Sequence, residues 1–528
     1  MTTETSTQTV VEREAKRRRV HHSRTDVSRV RSVFGLARPH PLGVRPLGNA
    51  LLLGRRGRAD SRKCLGRLAA LPDALLAALI ADSALLGDAD VARLGAACRA
   101  LYAFAGADDV WRARCIARFG GFGAAGFGAS WRSTFRQNLS RRDSPECPVD
   151  VDTAFCSDLL FSAWRCAAVP LQPLCRVATD NIARRTNLSL ADFVKEFDQP
   201  AIPVILSDVV PNWPAYTKWS MPYLKATVGD VVFRAESVDL PFNSYATYAE
   251  RCNNNNCSNY FFEEAPLYLF DKHFAERTNL SDDFSVPPYF SQDLFKLLGQ
   301  NERPDYRWII IGPARSGSTF HLDPNSTSAW NAVITGAKKW ILFPPNCVPP
   351  GVFPSKDGSE VVTPISLAEW FLNHYDDIQS CPVKPIECVC RAGEILYVPR
   401  GWWHCVMNLE ESIAITQNFV NECNLEQVLN FIRTKPDQIS GYGSGPGAVD
   451  LCNTLYDRFS NALQTTEEFK YAVEKELQSS ETREVSFENK TKLCKAAGEG
   501  LSSLFSSTSS SLHQDLEQET ASSFRFGF

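Results

Sequence analysis

Two of the eight histidines in this 528-residue chain sit where they could hold a metal ion. His321-Leu322-Asp323 places an imidazole and a carboxylate two residues apart. On a strand, alternate residues face the same side, so both can reach one ion. His404 closes the run Gly401-Trp402-Trp403-His404, just after a strand-like stretch. Two imidazoles and one carboxylate on one face of a metal leave three positions open, which suits non-haem Fe(II) and its oxygen chemistry. Structural zinc would take four closed protein ligands, often sulfur. His-x-Asp alone is a weak signal, since a strand histidine is commonly a satisfied core residue. Lys338 strengthens it. It falls in an apolar, strand-rich stretch, where an unpaired ammonium is costly and a dicarboxylic cosubstrate would supply the missing anion. The competing reading of Lys338 is an exposed turn position beside Lys339. Asn331, Ser318 and Tyr268 are candidate hydrogen-bonding groups for the same ligand.

The elements that must position these groups read as short strands between Gly, Pro and Asn. Examples are residues 201–206, Arg307-Trp308-Ile309-Ile310-Ile311, Lys339-Trp340-Ile341-Leu342-Phe343, residues 394–398 and Ile413-Ala414-Ile415-Thr416. Many short strands with turn signals and no βαβ alternation argue a sandwich or jelly roll, not a doubly wound sheet. Gly336, between Trp330–Ile334 and the strand at Lys339, is expected to turn a hairpin. Trp330, Trp402 and Trp403 form either a cage for a methylated cation or ordinary core.

Around this part, residues 66–140 read as a small helical unit. Pro72 marks a helix start, and Leu75, Leu76, Leu79 and Ile80 follow at helical spacing. A second helix carries Val91, Leu94, Cys98, Leu101 and Phe104, and a third Trp111, Cys115 and Phe119. The Ala- and Gly-rich stretch from Gly120 to Gly128 reads as a linker. Residues 449–478 read as a helix with Leu451, Cys452, Leu455, Tyr456, Phe459 and Leu463 on one stripe, for packing on the sheet or a dimer seam. The expected division is a basic disordered arm at 1–65, the helical unit at 66–140, a strand-rich domain at 150–440, a helical segment at 445–478 and a Ser-rich tail at 479–528.

With 44% hydrophobic and 22% charged residues, the chain is neither wholly disordered nor fibrous. No apolar run reaches the roughly 18 residues of a membrane span, and no signal-peptide layout opens the chain. The net charge of −4 hides an asymmetry: residues 1–65 hold fifteen Lys or Arg against five Asp or Glu, so the remainder is −14. Lys16-Arg17-Arg18-Arg19 fits nuclear import, so the nucleus is the expected location, with the cytoplasm as the alternative. Direct nucleic-acid binding is the weaker expectation for that arm. The acidic remainder suits a basic peptide. Seventeen cysteines without a CxxC pair point to reduced thiols. Cys252 and Cys257 form a candidate zinc pair with no second pair beside it.

One long set of motifs carries a resemblance. It runs from Gly312-Pro313-Ala314-Arg315 through Phe320-His321-Leu322-Asp323-Pro324. It continues in Ser328-Ala329-Trp330-Asn331-Ala332, Gly336-Ala337-Lys338-Lys339-Trp340 and Leu342-Phe343-Pro344. Tyr397-Val398-Pro399-Arg400-Gly401-Trp402-Trp403-His404 and Ile413-Ala414-Ile415-Thr416-Gln417-Asn418 complete it. Together these resemble the Jumonji-C (JmjC) Fe(II)- and 2-oxoglutarate-dependent oxygenases, nearest the subgroup of arginine demethylases and lysyl hydroxylases. The resemblance implies a mainly β fold with helices, built on a double-stranded β-helix (jelly roll, cupin-like) core. It implies His321, Asp323 and His404 as iron ligands and Lys338 as partner of the distal carboxylate of 2-oxoglutarate. It implies Tyr268, Asn331, Ser318 and Thr416 as further contacts of that cosubstrate. Ser318 stands where near relatives carry Thr, and Thr319 where they carry Gly. Leu71-Pro72-Asp73-Ala74-Leu75-Leu76, Cys98-Arg99-Ala100-Leu101-Tyr102 and Trp111 resemble an F-box, which implies docking to the Skp-type adaptor of a cullin ubiquitin ligase. The expected function is therefore arginine (or lysine) demethylation or lysyl hydroxylation on a protein, histone tails included. The alternatives are a ubiquitin-ligase substrate receptor and a sandwich that has lost catalysis.

Overall fold

Antiparallel pairing organises the strand-rich segment into two facing sheets. The computed structural model describes residues 40, 42–47, 62–140, 155–253, 263–443, 447–466 and 469. Lys16-Arg17-Arg18-Arg19, Cys257 and the tail at 479–528 lie outside the described residues. In chain order the strands are β1 (Ala183–Arg185), β2 (Val204–Leu206), β3 (Val232–Ala235), β4 (Val238–Pro241), β5 (Leu269–Asp271), β6 (Arg307–Gly312), β7 (Gly317–His321) and β8 (Ser328–Thr335). They continue as β9 (Ala337–Phe343), β10 (Phe353–Pro354), β11 (Val361–Val362), β12 (Ile386–Arg391), β13 (Ile395–Val398), β14 (Trp403–Asn408) and β15 (Ser412–Phe419). The larger sheet has the order β1-β2-β13-β8-β15-β6-β5-β3-β4, the smaller β12-β9-β14-β7. This is the expected jelly roll, with β10 and β11 as a separate hairpin.

Period-2 alternation divides the apolar residues into layers. Val333, Leu396 and Val398 of the larger sheet meet Trp340, Leu342, Cys388, Cys390 and Val406 of the smaller one between the sheets. The outer face of the smaller sheet, with Phe320, Ile341, Phe343, Cys405 and Met407, is covered by the helix Leu367–Asn373 and by Cys166, Leu174 and Cys175. The outer face of the larger sheet, with Ile309, Ile311, Trp330, Ile413 and Ile415, joins the N-terminal helices in one large core.

Gly336 does not turn a hairpin. Strands β8 and β9 belong to different sheets, so Gly336 is the corner at which the chain crosses between them. Its φ of +88° is one that L side chains rarely adopt, and a Cβ there would lie 2.3 Å from the Glu411 carbonyl oxygen. Gly336→Ala is expected to destabilise the fold by roughly 3 kcal/mol, strain and overlap together. Chemical denaturation should show a lowered midpoint at unchanged slope, and a wild-type midpoint would refute the corner's importance.

The helical unit departs from its expected form in two places. The second expected helix is two, Asp88–Ala97 and Arg99–Gly106, broken at Cys98, whose extended backbone lets its thiol accept from the Leu101 amide at 3.5 Å. The stretch from Gly120 to Gly128 is no free linker. Phe122 and Phe127 are buried and lie 5.4 and 4.9 Å from the Tyr248 ring on the helix Phe242–Asn253. Within the arm expected to be disordered, Val44 is buried and Arg45 bridges in parallel to Cys156. The C-terminal helix spans Ala448–Gln464. Its Leu455, Phe459 and Leu463 pack not on the sheet but on Leu425, Val428, Leu429 and Ile432 of the helix Leu425–Thr434, and on Phe295. Among the described residues, no helix is long and apolar enough to cross a membrane.

Candidate metal and cosubstrate site

Register places His321 directly opposite His404 across β7 and β14, with ring centroids 4.2 Å apart. Asp323 lies just past the end of β7, in extended backbone at the start of a short 3-10 turn. The nitrogen and oxygen ligand atoms of His321, Asp323 and His404 all lie within 4.8 Å of one another. Each imidazole is oriented by a carbonyl two residues earlier: His321 Nδ1 is 2.7 Å from the Thr319 oxygen and His404 Nδ1 2.9 Å from that of Trp402. A carbonyl can only accept, so Nδ1 carries the proton and Nε2 keeps its lone pair.

The electrostatics match a cation receptor. Burial lowers His321 to about 4, with His404 adding to the effect, and burial lowers His404 to about 4. Both rings are thus neutral ligands at physiological pH. Burial pushes Asp323 up to about 6, and its Oδ2 is buried without a hydrogen-bond partner. An unmatched buried carboxylate oxygen beside two oriented lone pairs fits a divalent metal. The set is N,N,O with no thiolate, and three ligands leave three positions for other groups.

The second half of the site is built around Lys338. It is fully buried, which excludes the exposed-turn reading. Its ammonium donates to the Tyr268 hydroxyl at 3.0 Å and to Asn408 Oδ1 at 2.8 Å. Burial lowers its pKa to about 7. Lys339, one position on, points out the opposite face and pairs with Glu387 at 2.9 Å. On β14, His404 and Asn408 are four residues apart on the inward face, so imidazole and ammonium ends are separated by about 13 Å of strand. On the facing sheet, Asn331 and Thr416 stand opposite each other on the paired strands β8 and β15. Asn331 Oδ1 is buried without a partner, and the Thr416 hydroxyl donates to the Trp330 carbonyl at 3.0 Å.

Strict alternation on β7 would set Ser318 on the face opposite to His321. Ser318 nevertheless pairs with Val406, an inward-facing residue, because an irregularity between His404 and Val406 shifts the register by one. The extra residue lies in β7, so Phe320 still points outward while Ser318 shares the face of His321. The structure thus brings the three candidate metal ligands together and gathers Lys338, Tyr268, Asn331, Ser318 and Thr416 around the same inter-sheet space.

The three tryptophans do not converge. Trp330 is on the outer face of the larger sheet, Trp403 on the outer face of the smaller, and Trp402 donates to the Ala201 carbonyl at 2.9 Å. They are core, not a cage. Cys252 packs against the main core, and the described cysteines are free thiols. Sequence reasoning missed Asn408, which holds Lys338, and Asn418, which reaches Asp323 and donates to Thr327 at 2.8 Å. The inward period-2 series His404, Val406, Asn408 was the signal that could have found the first.

Comparison with known proteins points the same way. Residues 190–424 match the family described as a cupin-like domain. The chain is 44% identical over 456 residues to "Arginine-specific demethylase JMJ22" of Arabidopsis thaliana, covering 84% of this chain and 86% of that protein. It is 34% identical over 383 residues to "Lysine-specific demethylase JMJ21" of the same plant, covering 70% of this chain but 39% of that protein. It is 36% identical over 255 residues to "Bifunctional arginine demethylase and lysyl-hydroxylase psr-1" of Caenorhabditis elegans, covering 46% and 61%.

Proposed function

Because this chain belongs to the cupin-like JmjC family of Fe(II)- and 2-oxoglutarate-dependent oxygenases, we propose that it removes methyl groups from arginine side chains of basic nuclear proteins, histone tails among them. The enzyme class, the two cofactors and action on a protein come with the family. One observation carries the site assignment: three ligand atoms converge within 4.8 Å in the same inter-sheet space as a buried ammonium that has no carboxylate partner among the described residues. In this reading His321, Asp323 and His404 hold iron. Lys338 and Tyr268 bind the distal carboxylate of 2-oxoglutarate, with Asn331, Thr416 and Ser318 along its length.

When bound, iron and 2-oxoglutarate supply the oxidising power for hydroxylating an unactivated C–H bond, with succinate and carbon dioxide as co-products. The chain's own part is to fix geometry and exclude water. Val333, Leu342 and Trp340 line the space with apolar surface, and the Trp340 ring lies 5.9 Å from that of His404. On an N-methyl group, replacing C–H by C–OH gives a carbinolamine, whose C–N bond then breaks to release formaldehyde and restore N–H. On a lysine carbon the same step stops at a stable alcohol.

Arginine is favoured over lysine because the arginine-specific relative matches at 44% identity over 84% of this chain and 86% of its own length, against 34%, 70% and 39% for the lysine-specific one. The likeness to a bifunctional relative supports lysyl hydroxylation as the second reading. Mass spectrometry of methylarginine-containing and unmethylated lysine-containing histone peptides separates them. Demethylation removes one CH2 per methyl group, and hydroxylation adds one oxygen. Oxygen addition to lysine with intact methylarginine would reverse the assignment. The proposed nuclear location rests on Lys16-Arg17-Arg18-Arg19 and the excess of base in residues 1–65. Docking of a Skp-type adaptor to the helical unit is supported by the run Leu71–Leu76 and by exposed Leu75 and Leu85.

A further inference from the structure

We propose that Arg112, on the helix Asp108–Phe119 of the helical unit, is a positioning residue for the 2-oxoglutarate end of the site. The helical unit is then a working part of the oxygenase as well as a recruitment surface. The inference rests on the reading that Lys338 and Tyr268 receive the distal carboxylate.

Tyr268 reaches the site from an irregular segment, residues 263–268, that precedes β5. Little within that segment holds it in place, and its bonds go to groups far away in sequence. Arg112 makes three of them or their direct supports. One guanidinium nitrogen donates to Glu263 Oε1 at 2.8 Å and to the Ala265 carbonyl at 2.7 Å. The other donates to Glu236 Oε2 at 2.9 Å. Glu236 sits in the β3–β4 turn with φ +51° and grips Tyr268 itself: its Oε1 accepts from the Tyr268 amide at 3.3 Å, and its own amide donates to the Tyr268 carbonyl at 3.2 Å. Arg112 therefore anchors the segment at its start and steadies the carboxylate that holds its end. A rigid, planar fork of donors suits this better than a point charge.

The surroundings show that the contact is built. The Arg112 side chain is only 19% exposed and lies over the Trp131 ring. Trp131 also donates to Glu263 Oε1, at 3.0 Å, and the Tyr248 hydroxyl donates to Glu263 Oε2 at 2.7 Å. The same hydroxyl accepts from the Leu267 amide at 2.9 Å. The Glu263 side chain is only 5% exposed and needs this guanidinium, and the solvent-facing Glu236, 39% exposed, shares it. Among the described residues neither Glu263 nor Glu236 has another cationic partner, so without Arg112 the segment they organise loses its anchor. The consequence is felt where Tyr268 meets Lys338, because a shift of the segment moves the hydroxyl 3.0 Å from the ammonium.

The test uses the full chain, with Mn(II) replacing iron for binding work. In Arg112→Gln the dissociation constant of 2-oxoglutarate, read by calorimetry, is expected to rise about 10-fold, as for loss of an outer support of a binding group. Mn(II) affinity should be unchanged. In the iron-loaded enzyme KM for 2-oxoglutarate should rise with kcat at saturation retained, and amides of 263–269 should exchange faster with deuterium. Arg112→Lys, which keeps charge but loses the fork, should fall between. Wild-type affinity and exchange in Arg112→Gln overturn the proposal while leaving the pocket assignment standing. Should Arg112→Gln not fold, Arg112→Lys decides by the same readouts. Wild-type 2-oxoglutarate affinity in Lys338→Met overturns the pocket assignment and the proposal with it.

Discussion

Replacing His321, Asp323 or His404 singly by alanine is expected to lower succinate release by more than about 100-fold, since loss of mere supporting partners around a metal already costs 10- to 100-fold. The effect follows from geometry. Among the described residues three ligand atoms within 4.8 Å make up the protein's contribution to the metal, so losing one leaves a two-point site. Stability should move the other way from a usual core truncation. A metal bound only to the folded chain stabilises it by mass action, so Fe(II) or Mn(II) should raise the melting temperature of the wild type and not of the variants. Without metal, Asp323→Ala removes a buried carboxylate oxygen that has no partner and should be tolerated better than a typical buried polar truncation. Wild-type turnover in any of the three variants would falsify the ligand assignment. Retained folding with lost turnover and lost metal shift would support it.

Much of this site was legible in the sequence because strand periodicity is a strong constraint. His321 sits on a strand as read, Asp323 follows just past its end and still reaches the same ion, and Gly336 marks a bend although not the hairpin expected of it. What the turn connected was not legible. A glycine between two apolar runs says that the chain bends, and whether the runs pair is settled by the partners that each finds elsewhere, β13 and β15 for one and β12 and β14 for the other. The shifted register that brings Ser318 round to the face of His321 is likewise invisible, since an extra residue in a strand has no composition of its own. Cys98 breaks its helix because a thiol can cap, yet in a pattern of apolar spacing it reads as one more core residue. Arg112 illustrates the largest gap. Its partners lie 124 to 153 residues away, and no local pattern announces a long-range ion pair.

Lys338→Met is expected to abolish productive use of 2-oxoglutarate and yet to raise the melting temperature of the metal-free chain by a few °C. The ammonium is fully buried, and among the described residues it pairs with two neutral oxygens and no carboxylate. Burial brings it from 10.5 to about 7, a penalty on the order of 5 kcal/mol. Against that, methionine leaves Asn408 Oδ1 without its donor, a loss of about 1–3 kcal/mol, while the Tyr268 hydroxyl remains free to donate elsewhere. The balance favours the variant. The sign of its pH dependence follows by linkage. The native amine has the lower pKa, so between about 7 and 10.5 the unfolded chain binds more protons and stability rises with pH in that window. The penalty is therefore full below about pH 7, and the gain from Lys338→Met should be largest there and fade toward pH 10.5. Cosubstrate binding has the opposite slope. A dicarboxylate needs the charged amine, so above about pH 7 binding must take up a proton and the wild-type KM for 2-oxoglutarate should climb by about tenfold per pH unit. A melting temperature that falls in Lys338→Met, or a KM that stays flat from pH 7 to 9, would show that an anion partner for this ammonium is already supplied by the chain.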